Sequence, residues 1–222
     1  MSLDTTALVD EITRKVWDRL ECLMDPNRIV LGVSNRHVHL NEADLATLFG
    51  IDALTIFRQV RQPKEFAADQ FVAVHGPKGS FPKVRAMGPC RAKSQVELSR
   101  TDCFTLGVKA PVTQSGHLGA AGPIDIEGPL GTIHLEHGAM VAARHVHLGP
   151  ADAAELGVKD QDLVKFAFGG QRGGVLDNFI VRVKSDWVPE IHLDTDEANA
   201  LGLGHGDFGK LIRYLSPRSE SR

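Results

Sequence analysis

The pentapeptide Arg-His-Val-His-Leu occurs twice in this 222-residue chain, at 36–40 and again at 144–148. In an extended strand alternate side chains leave the same face, so the two histidines of each copy point to one side. Two neutral imidazoles can share a divalent ion and, with one or two further ligands and a water, form an open, zinc-like catalytic site. A single copy would more often be a hydrogen-bonded surface pair, but repetition favours a duplicated metal-binding unit. The predicted first ligands of two metals are His37, His39, His145 and His147.

A partial third copy begins at Ile191, where Ile-His-Leu precedes an acidic, Ala-rich stretch that matches the stretch after Leu148. Each copy has the pattern of a strand that ends in His-Leu and leads into a short capped helix. His192 thus has the place of His147, and we predict it as the third ligand of one metal. The other histidines lie in hairpin or glycine-rich segments, where solvation or hydrogen bonding is the ordinary case: His75, His117, His134, His137 and His205. Of these, His134 and His137 are reserve ligands.

A second block of chemically capable residues follows the Gly-Pro pair at 88–89. Arg91 and Lys93 place positive charge beside this tight turn, and a guanidinium binds phosphate bidentately at any working pH. Glu97 follows on the next predicted strand and is a candidate for the ligand that the first histidine pair lacks. The alternatives are a surface salt bridge for Arg91 and a solvated strand position for Glu97.

The composition excludes several classes of partner. The 25 Lys and Arg residues against 28 Asp and Glu give a net charge of −3, so no global basic field attracts nucleic acid or an anionic membrane. Cys22, Cys90 and Cys103 are too few and too scattered for a disulfide framework, which favours a reducing compartment. No run approaches the roughly 20 apolar residues of a transmembrane helix, and the start of the chain lacks a secretory signal. We therefore expect a cytoplasmic protein.

Residues 5–23 have the periodicity of an amphipathic helix that ends before Asp25-Pro26. Its apolar stripe includes Leu8, Ile12, Val16 and Leu20. The favoured interpretation is a helix that packs on its own core or on a second subunit. The alternative is a detachable docking peptide.

Beyond Pro26 the pattern is typical of short strands separated by Gly- and Pro-rich turns at 76–79, 128–131 and 169–174. Because barrel closure removes exposed strand edges, we predict that these strands form small β-barrels. Besides Ile29–Val33 and the first histidine strand, the predicted strands are Phe71–His75, Val84–Met87, Gln95–Leu98, Ile124–Ile126, Thr132–Leu135, Leu163–Phe168 and Asn178–Lys184.

Three motifs together carry a family resemblance: Ser-Asn-Arg-His-Val-His-Leu at 34–40, Gly-Pro-x-Arg-x-x-x-Gln-Val-Glu at 88–97, and Ala-Arg-His-Val-His-Leu at 143–148. In this order they resemble the PduL-type phosphate propanoyltransferases, the phosphotransacylases associated with propanediol-utilising microcompartments. The resemblance extends from about Ile29 to Leu215. It implies a mainly β fold of two small β-barrel domains capped by short helices, with an N-terminal amphipathic helix.

The resemblance also implies domain bounds and site residues. The domains would be the helix at 1–24, a barrel at 37–142, and a discontinuous barrel at 25–36 and 143–215, followed by a disordered tail at 216–222. One zinc would be held by His37, His39 and Glu97, and the other by His145, His147 and His192. Arg91 would be the catalytic, phosphate-binding residue. Coenzyme A would contact Ser34, Arg58, Arg85, Met87 and Asn199.

The implied reaction is the reversible conversion of acyl-CoA, with propanoyl-CoA expected, and phosphate into acyl phosphate and CoA. Direct attack of phosphate on the thioester is favoured over an acyl intermediate on Cys90, because adjacency to Arg91 in sequence does not bring the sulfur to the metals. One rival is a binuclear zinc hydrolase such as an acyl-CoA thioesterase, and another is a zinc-stabilised scaffold component. In compartment-associated members of the family such an N-terminal helix resembles an encapsulation peptide that binds shell or cargo proteins in the microcompartment lumen, but a helix docked on the enzyme itself would have the same pattern. We also expect a homo-oligomer.

Overall fold

The computed structural model describes residues 5–212 and is mainly β. The tail at 216–222, expected to be disordered, lies outside the described residues. The helices are α1 (Thr5–Met24), α2 (Glu42–Phe49), α3 (Arg100–Leu106), α4 (Pro150–Leu156) and α5 (Thr195–Leu201). The strands are β1 (Arg28–Ser34), β2 (His37–His39), β3 (Ile56–Gln59), β4 (Phe66–His75), β5 (Ser80–Gly88), β6 (Gln95–Leu98), β7 (Val112–Thr113), β8 (Gly122–Glu127), β9 (Thr132–Ala142), β10 (His145–Leu148), β11 (Leu163–Phe168), β12 (Gly174–Val183), β13 (Glu190–Asp194) and β14 (Phe208–Ile212).

The first barrel is a ring of six strands in the order β4, β5, β2, β6, β9 and β8. The ring closes because β8 pairs with β4 as well as with β9. Strands β3 and β7 extend it at β4 and β9. Its interior is filled by aliphatic side chains such as Val72, Val96 and Ile126, and Leu106 from α3 belongs to the same cluster. Burial of these apolar side chains is what stabilises the ring.

The second barrel closes in the order β1, β13, β10, β12, β11 and β14. It is mixed, since β1 runs parallel to β13 and β10 runs parallel to β12. Three phenylalanines dominate its core, and the rings of Phe166 and Phe179 meet edge to face with centroids 4.9 Å apart. This aromatic geometry adds to the stabilisation that comes from burial alone.

The chain crosses between the barrels twice. It leaves the second barrel after β1 and enters the first at β2, and it leaves the first after β9 and enters the second at β10. Each copy of Arg-His-Val-His-Leu begins at such a crossing, so both histidine strands start at the junction of the barrels.

The arginine of each copy anchors its crossing to a helix of the barrel that the chain enters. Arg36 binds the carboxylate of Asp102 in α3 at 2.6 Å, and Arg144 binds Glu197 in α5 at 2.8 Å. Both carboxylates sit in the first helical turn and also accept a hydrogen bond from the backbone N–H of the N-cap residue. The two crossings are therefore fixed by matched contacts.

The helix predicted at 5–23 is confirmed as α1, but its apolar stripe does not pack on the barrels. Leu8, Ile12, Val16 and Leu20 remain 48%, 53%, 53% and 46% exposed. The interpretation that the helix packs on its own core is therefore wrong for these side chains. The interpretation that is left is a contact with another molecule. None of the helices within residues 5–212 has the length and apolarity needed to span a membrane.

The three glycine-rich turns are confirmed, since each connects two consecutive antiparallel strands. The predicted strands are present too, although β4, β5, β8, β9 and β12 extend beyond the predicted segments at one or both ends. Strands β3, β7 and β14 were not predicted. All four side chains of β3 are exposed, so no burial pattern indicated a strand there.

Candidate metal centre and active site

The first ligand cluster consists of His37, His39 and Glu97. Antiparallel pairing of β2 with β6 sets His37 directly opposite Glu97. The two histidine Nε2 atoms lie 3.2 Å apart, and the Glu97 carboxylate oxygens lie 3.7 Å from His37 Nε2 and 3.6 Å from His39 Nε2. Val38, between the histidines, points away into the barrel core and is fully buried. The period-two alternation of the strand thus aims both imidazoles at one point.

The second ligand cluster consists of His145, His147 and His192. Pairing of β10 with β13 sets His145 opposite His192, in the same register that sets His37 opposite Glu97. The three ring centroids are 4.4–4.8 Å apart. In each cluster the candidate ligand atoms lie within 4.8 Å of one another, so each cluster is a candidate site for one metal ion.

The repeat has four copies rather than three. Each is a strand whose candidate ligand precedes a buried leucine and a helix N-cap. The ligand, leucine and N-cap are His39-Leu40-Asn41, Glu97-Leu98-Ser99, His147-Leu148-Gly149 and His192-Leu193-Asp194. The copy at Glu97 was not recognised among the repeats of the sequence, because glutamate replaces histidine there. Glu97 and His192 therefore occupy equivalent positions in two related halves of the centre.

Backbone carbonyls orient the first histidine of each pair. Nδ1 of His37 lies 2.8 Å from the Asn35 carbonyl oxygen, and Nδ1 of His145 lies 2.8 Å from that of Ala143. A carbonyl oxygen can only accept, so Nδ1 donates and the unprotonated Nε2 is available to a metal. This is the arrangement by which outer contacts fix the tautomer of ligating histidines.

The donor groups fit a metal on further grounds. In the second cluster both ring nitrogens of His147 and His192 Nε2 are buried without a hydrogen-bond partner. Such orphaned polar atoms are costly in a folded protein, and a cation among them removes part of that cost. Burial lowers the pKa of His39 to about 4 and of His145 to about 3, and it also lowers that of His147. These imidazoles are therefore neutral near pH 7, which is the form that binds metal.

A hydrogen-bonded network holds Glu97. Its Oε1 accepts bonds from Ser115 Oγ at 2.6 Å and from Gln95 Nε2 at 2.7 Å. Arg91 donates to Ser115 Oγ at 2.7 Å, and its guanidinium lies 3.9 Å from the Glu97 carboxylate. Burial raises the pKa of Glu97, but His37, His39 and Ser115 outweigh it and hold the pKa well below its usual range. Glu97 is therefore a carboxylate at neutral pH.

In the second half of the centre, Glu190 occupies the position that Gln95 has in the first half. Glu190 lies opposite His147, as Gln95 lies opposite His39. Its Oε2 accepts a hydrogen bond from Gln62 Nε2 at 2.7 Å. The same oxygen lies 3.3 Å from His192 Nε2, outside hydrogen-bond geometry. Gln62 and Ser115 were not predicted from the sequence, because both reach the centre from segments without a motif.

Both clusters and Arg91 line one cavity of about 1190 Å³. Four of the five residues expected to contact coenzyme A also line it: Ser34, Arg58, Arg85 and Met87. The fifth, Asn199, is an exposed α5 residue that is not part of this lining. The cavity exceeds the range of about 300–1,000 Å³ typical of small-molecule sites.

The family model for phosphate propanoyltransferase matches residues 30–204. A phosphate propanoyltransferase of Thermotoga maritima is 44% identical over 209 residues, which are 93% of this chain and 100% of the relative. The chain belongs to the phosphate propanoyltransferase family. Family members of the same name from Levilactobacillus brevis and Salmonella typhimurium are 42% and 43% identical, covering 95% and 92% of this chain and 100% and 97% of their own lengths.

The reserve histidines do not join the clusters. His134 Nδ1 contacts the Asp125 carboxylate at 2.5 Å, and Nδ1 of His137 bonds the Ala121 carbonyl at 3.1 Å. His75 pairs with Glu127 at 2.8 Å on the barrel surface. Among residues 5–212, these histidines contribute to neither candidate metal group.

Proposed function

We propose that this protein is a zinc-dependent phosphate propanoyltransferase. It interconverts propanoyl-CoA and phosphate with propanoyl phosphate and CoA. Membership of the family supports the reaction. The observation that carries the zinc dependence is that two three-residue ligand clusters and Arg91 line the same cavity.

In this proposal His37, His39 and Glu97 hold one zinc, and His145, His147 and His192 hold the other. Bound zinc supplies Lewis acidity for the thioester carbonyl and affinity for the departing thiolate. Three protein ligands leave coordination positions open, as catalytic rather than structural zinc sites do. This favours catalysis over a scaffold role.

Arg91 is proposed to bind and orient the phosphate. Ser115 supports this role, because its hydroxyl accepts from Arg91 and donates to Glu97, so one side chain links the anion site to a metal ligand. A guanidinium fixed in this way meets phosphate with paired N–H donors. Orientation of two bound reactants replaces a bimolecular encounter and supplies much of the rate.

The acyl-CoA is proposed to contact Ser34, Arg58, Arg85, Met87 and Asn199. Arg85 supports this, since its guanidinium lies 4.4 Å from the ring centroid of Phe57 and 4.1 Å from that of Phe71. These cation–π contacts hold the charge in place without neutralising it, leaving it able to bind CoA phosphates. Arg58 adds a second positive charge from the exposed strand β3.

Phosphate is proposed to attack the thioester directly. Cys90 is absent from the lining of the cavity and packs against the core of the first barrel. Burial also raises the pKa of its thiol, which disfavours the nucleophilic thiolate. Both observations argue against an acyl intermediate on this residue.

The transferase and the thioesterase differ in their need for phosphate. We expect zinc-loaded enzyme to release CoA from propanoyl-CoA at least about 100-fold faster with saturating phosphate than without it, since a positioned nucleophile replaces water. Initial rates at varied propanoyl-CoA and phosphate should give intersecting double-reciprocal lines. CoA release at the same rate without phosphate would establish a hydrolase, and parallel lines would contradict direct attack.

Helix α1 is proposed to dock on a microcompartment shell or cargo protein, within a homo-oligomeric enzyme. The support is an exposed apolar stripe on one amphipathic helix, a common form of helix recognition. Deletion of residues 1–24 should leave kcat and KM within about twofold, because none of the α1 side chains that the structure describes lines the cavity. Co-assembly with shell proteins should be lost. Unchanged co-assembly would contradict targeting, and a changed oligomer size would indicate subunit contact instead.

A further inference from the structure

Arg182 carries a guanidinium that could bind an anion, and the proposed mechanism gives it no role. It lies in β12 directly opposite His147 in the parallel ladder with β10. Paired residues of neighbouring strands project from the same face of a sheet, so Arg182 leaves the barrel wall on the side of the second ligand cluster. It lines the same cavity as Arg91.

The Arg182 guanidinium has no protein counter-ion in the part of the chain that the structure describes. Across residues 5–212 it forms neither an ion pair nor a hydrogen bond, and it contacts the Trp187 ring. Burial lowers the pKa of Arg182, and the positive charge of Arg91 lowers it further, more than the nearest carboxylates compensate. Two arginines therefore direct like charge into one space, which is unfavourable until an anion lies between them.

Trp187 holds this charge in position. Its ring stacks on His147 with centroids 3.8 Å apart and planes inclined by 18°, and Arg182 Cζ lies 5.1 Å from the Trp187 centroid. A cation–π contact restricts the guanidinium but leaves its N–H donors free for a ligand. Since the same ring packs on a metal-ligand candidate, Arg182 is positioned relative to the second cluster.

We propose that Arg182 is a second arginine of the phosphate site and binds the transferred phosphate group opposite Arg91. The inference rests on the proposed function. The two arginines come from different barrels, Arg91 after β5 and Arg182 within β12, so the anion is held at the junction where the acyl group is transferred. The proposed CoA arginines, Arg58 and Arg85, both lie in the first barrel. A phosphate dianion held between two planar guanidiniums has donors on both sides and its charge offset.

The test compares Arg182→Gln with the wild type as full-length, zinc-loaded enzymes. The KM for phosphate should rise at least about tenfold, the loss expected when one charge-assisted contact to an anion is removed. The KM for propanoyl-CoA should stay within about threefold, and zinc content should be unchanged. Isothermal titration with inorganic phosphate, without acyl-CoA, should show the same tenfold loss of affinity. Lys210→Gln is the matched control, since it removes an exposed charge from β14 of the same barrel and should change neither value.

Three results would overturn the assignment. They are an unchanged phosphate affinity, a rise in the KM for propanoyl-CoA instead of phosphate, or equal weakening by Lys210→Gln. If Arg182→Gln loses zinc, the test uses Arg182→Lys instead. Lysine keeps the positive charge but lacks the planar, bidentate guanidinium, so the phosphate affinity should still fall at least about threefold. An unchanged affinity of Arg182→Lys would also overturn the assignment. The titration tests the Arg182 assignment separately from the proposed function. If the wild type showed no phosphate-dependent CoA release, the transferase activity would be refuted, but the phosphate affinities of the wild type and Arg182→Gln would still test Arg182.

Discussion

Replacement of Glu97 by glutamine should remove one of the two zinc ions and lower the rate of phosphate-dependent CoA release roughly 10³-fold. Glutamine keeps the shape of the side chain but replaces the carboxylate beside His37 and His39 by an amide, which is not a usual zinc ligand, whereas carboxylate and imidazole both are. It also disturbs the bond from Ser115, which links this ligand to Arg91. Metal analysis of the purified variant and its initial rates at saturating substrates check both effects.

Two further substitutions sharpen this experiment. Glu97→His should retain both zinc ions, because Glu97 and His192 occupy equivalent registers and the second cluster is already all histidine. Glu127→Gln removes an exposed carboxylate of the same barrel, paired with His75, and should leave zinc content and rate unchanged. A Glu97→Gln enzyme with full zinc content and full activity would exclude Glu97 as a ligand.

Replacement of Arg91 by glutamine should lower kcat/KM for phosphate by about 10²–10³-fold, the usual cost of losing one preorganised donor to developing charge. The KM for propanoyl-CoA should change much less, and zinc content should remain intact, because Arg91 meets Glu97 only at 3.9 Å. Measurement of both KM values and of bound zinc separates anion binding from metal binding.

Conservative and remote variants provide the controls. Arg91→Lys keeps the positive charge but loses bidentate geometry, so its activity should fall between those of Arg91→Gln and the wild type. Lys109→Gln removes an exposed charge of the first barrel outside the cavity and should behave as the wild type. If Arg91→Gln loses zinc but keeps its KM for phosphate, Arg91 is a structural support of the metal centre.

The histidine pairs were predictable because they depend on local geometry alone. In a strand, residues i and i+2 share a face whatever the rest of the chain does, so His37 with His39 and His145 with His147 needed no tertiary information. Repetition then separated them from ordinary surface histidines. His192 was found in the same way, through the local similarity of its strand and helix cap to those of His147.

The equivalence of Glu97 and His192 was not predictable in this way. It depends on the registers of β2 with β6 and of β10 with β13, which join residues far apart in sequence. Ser115 and Arg182 depend on long-range packing for the same reason, since neither belongs to a repeated pattern. The failure to bury α1 has a different cause: amphipathic periodicity predicts that a face will be covered, but not by which molecule.

The most direct test is to titrate metal-free enzyme with zinc while following phosphate-dependent CoA release from propanoyl-CoA. The proposal predicts negligible rate without metal, a rise up to two equivalents per chain and none beyond, with propanoyl phosphate formed in step with CoA. A rate that reaches its maximum without zinc, or that does not require phosphate, would contradict the assignment of the two ligand clusters as the centre of acyl transfer.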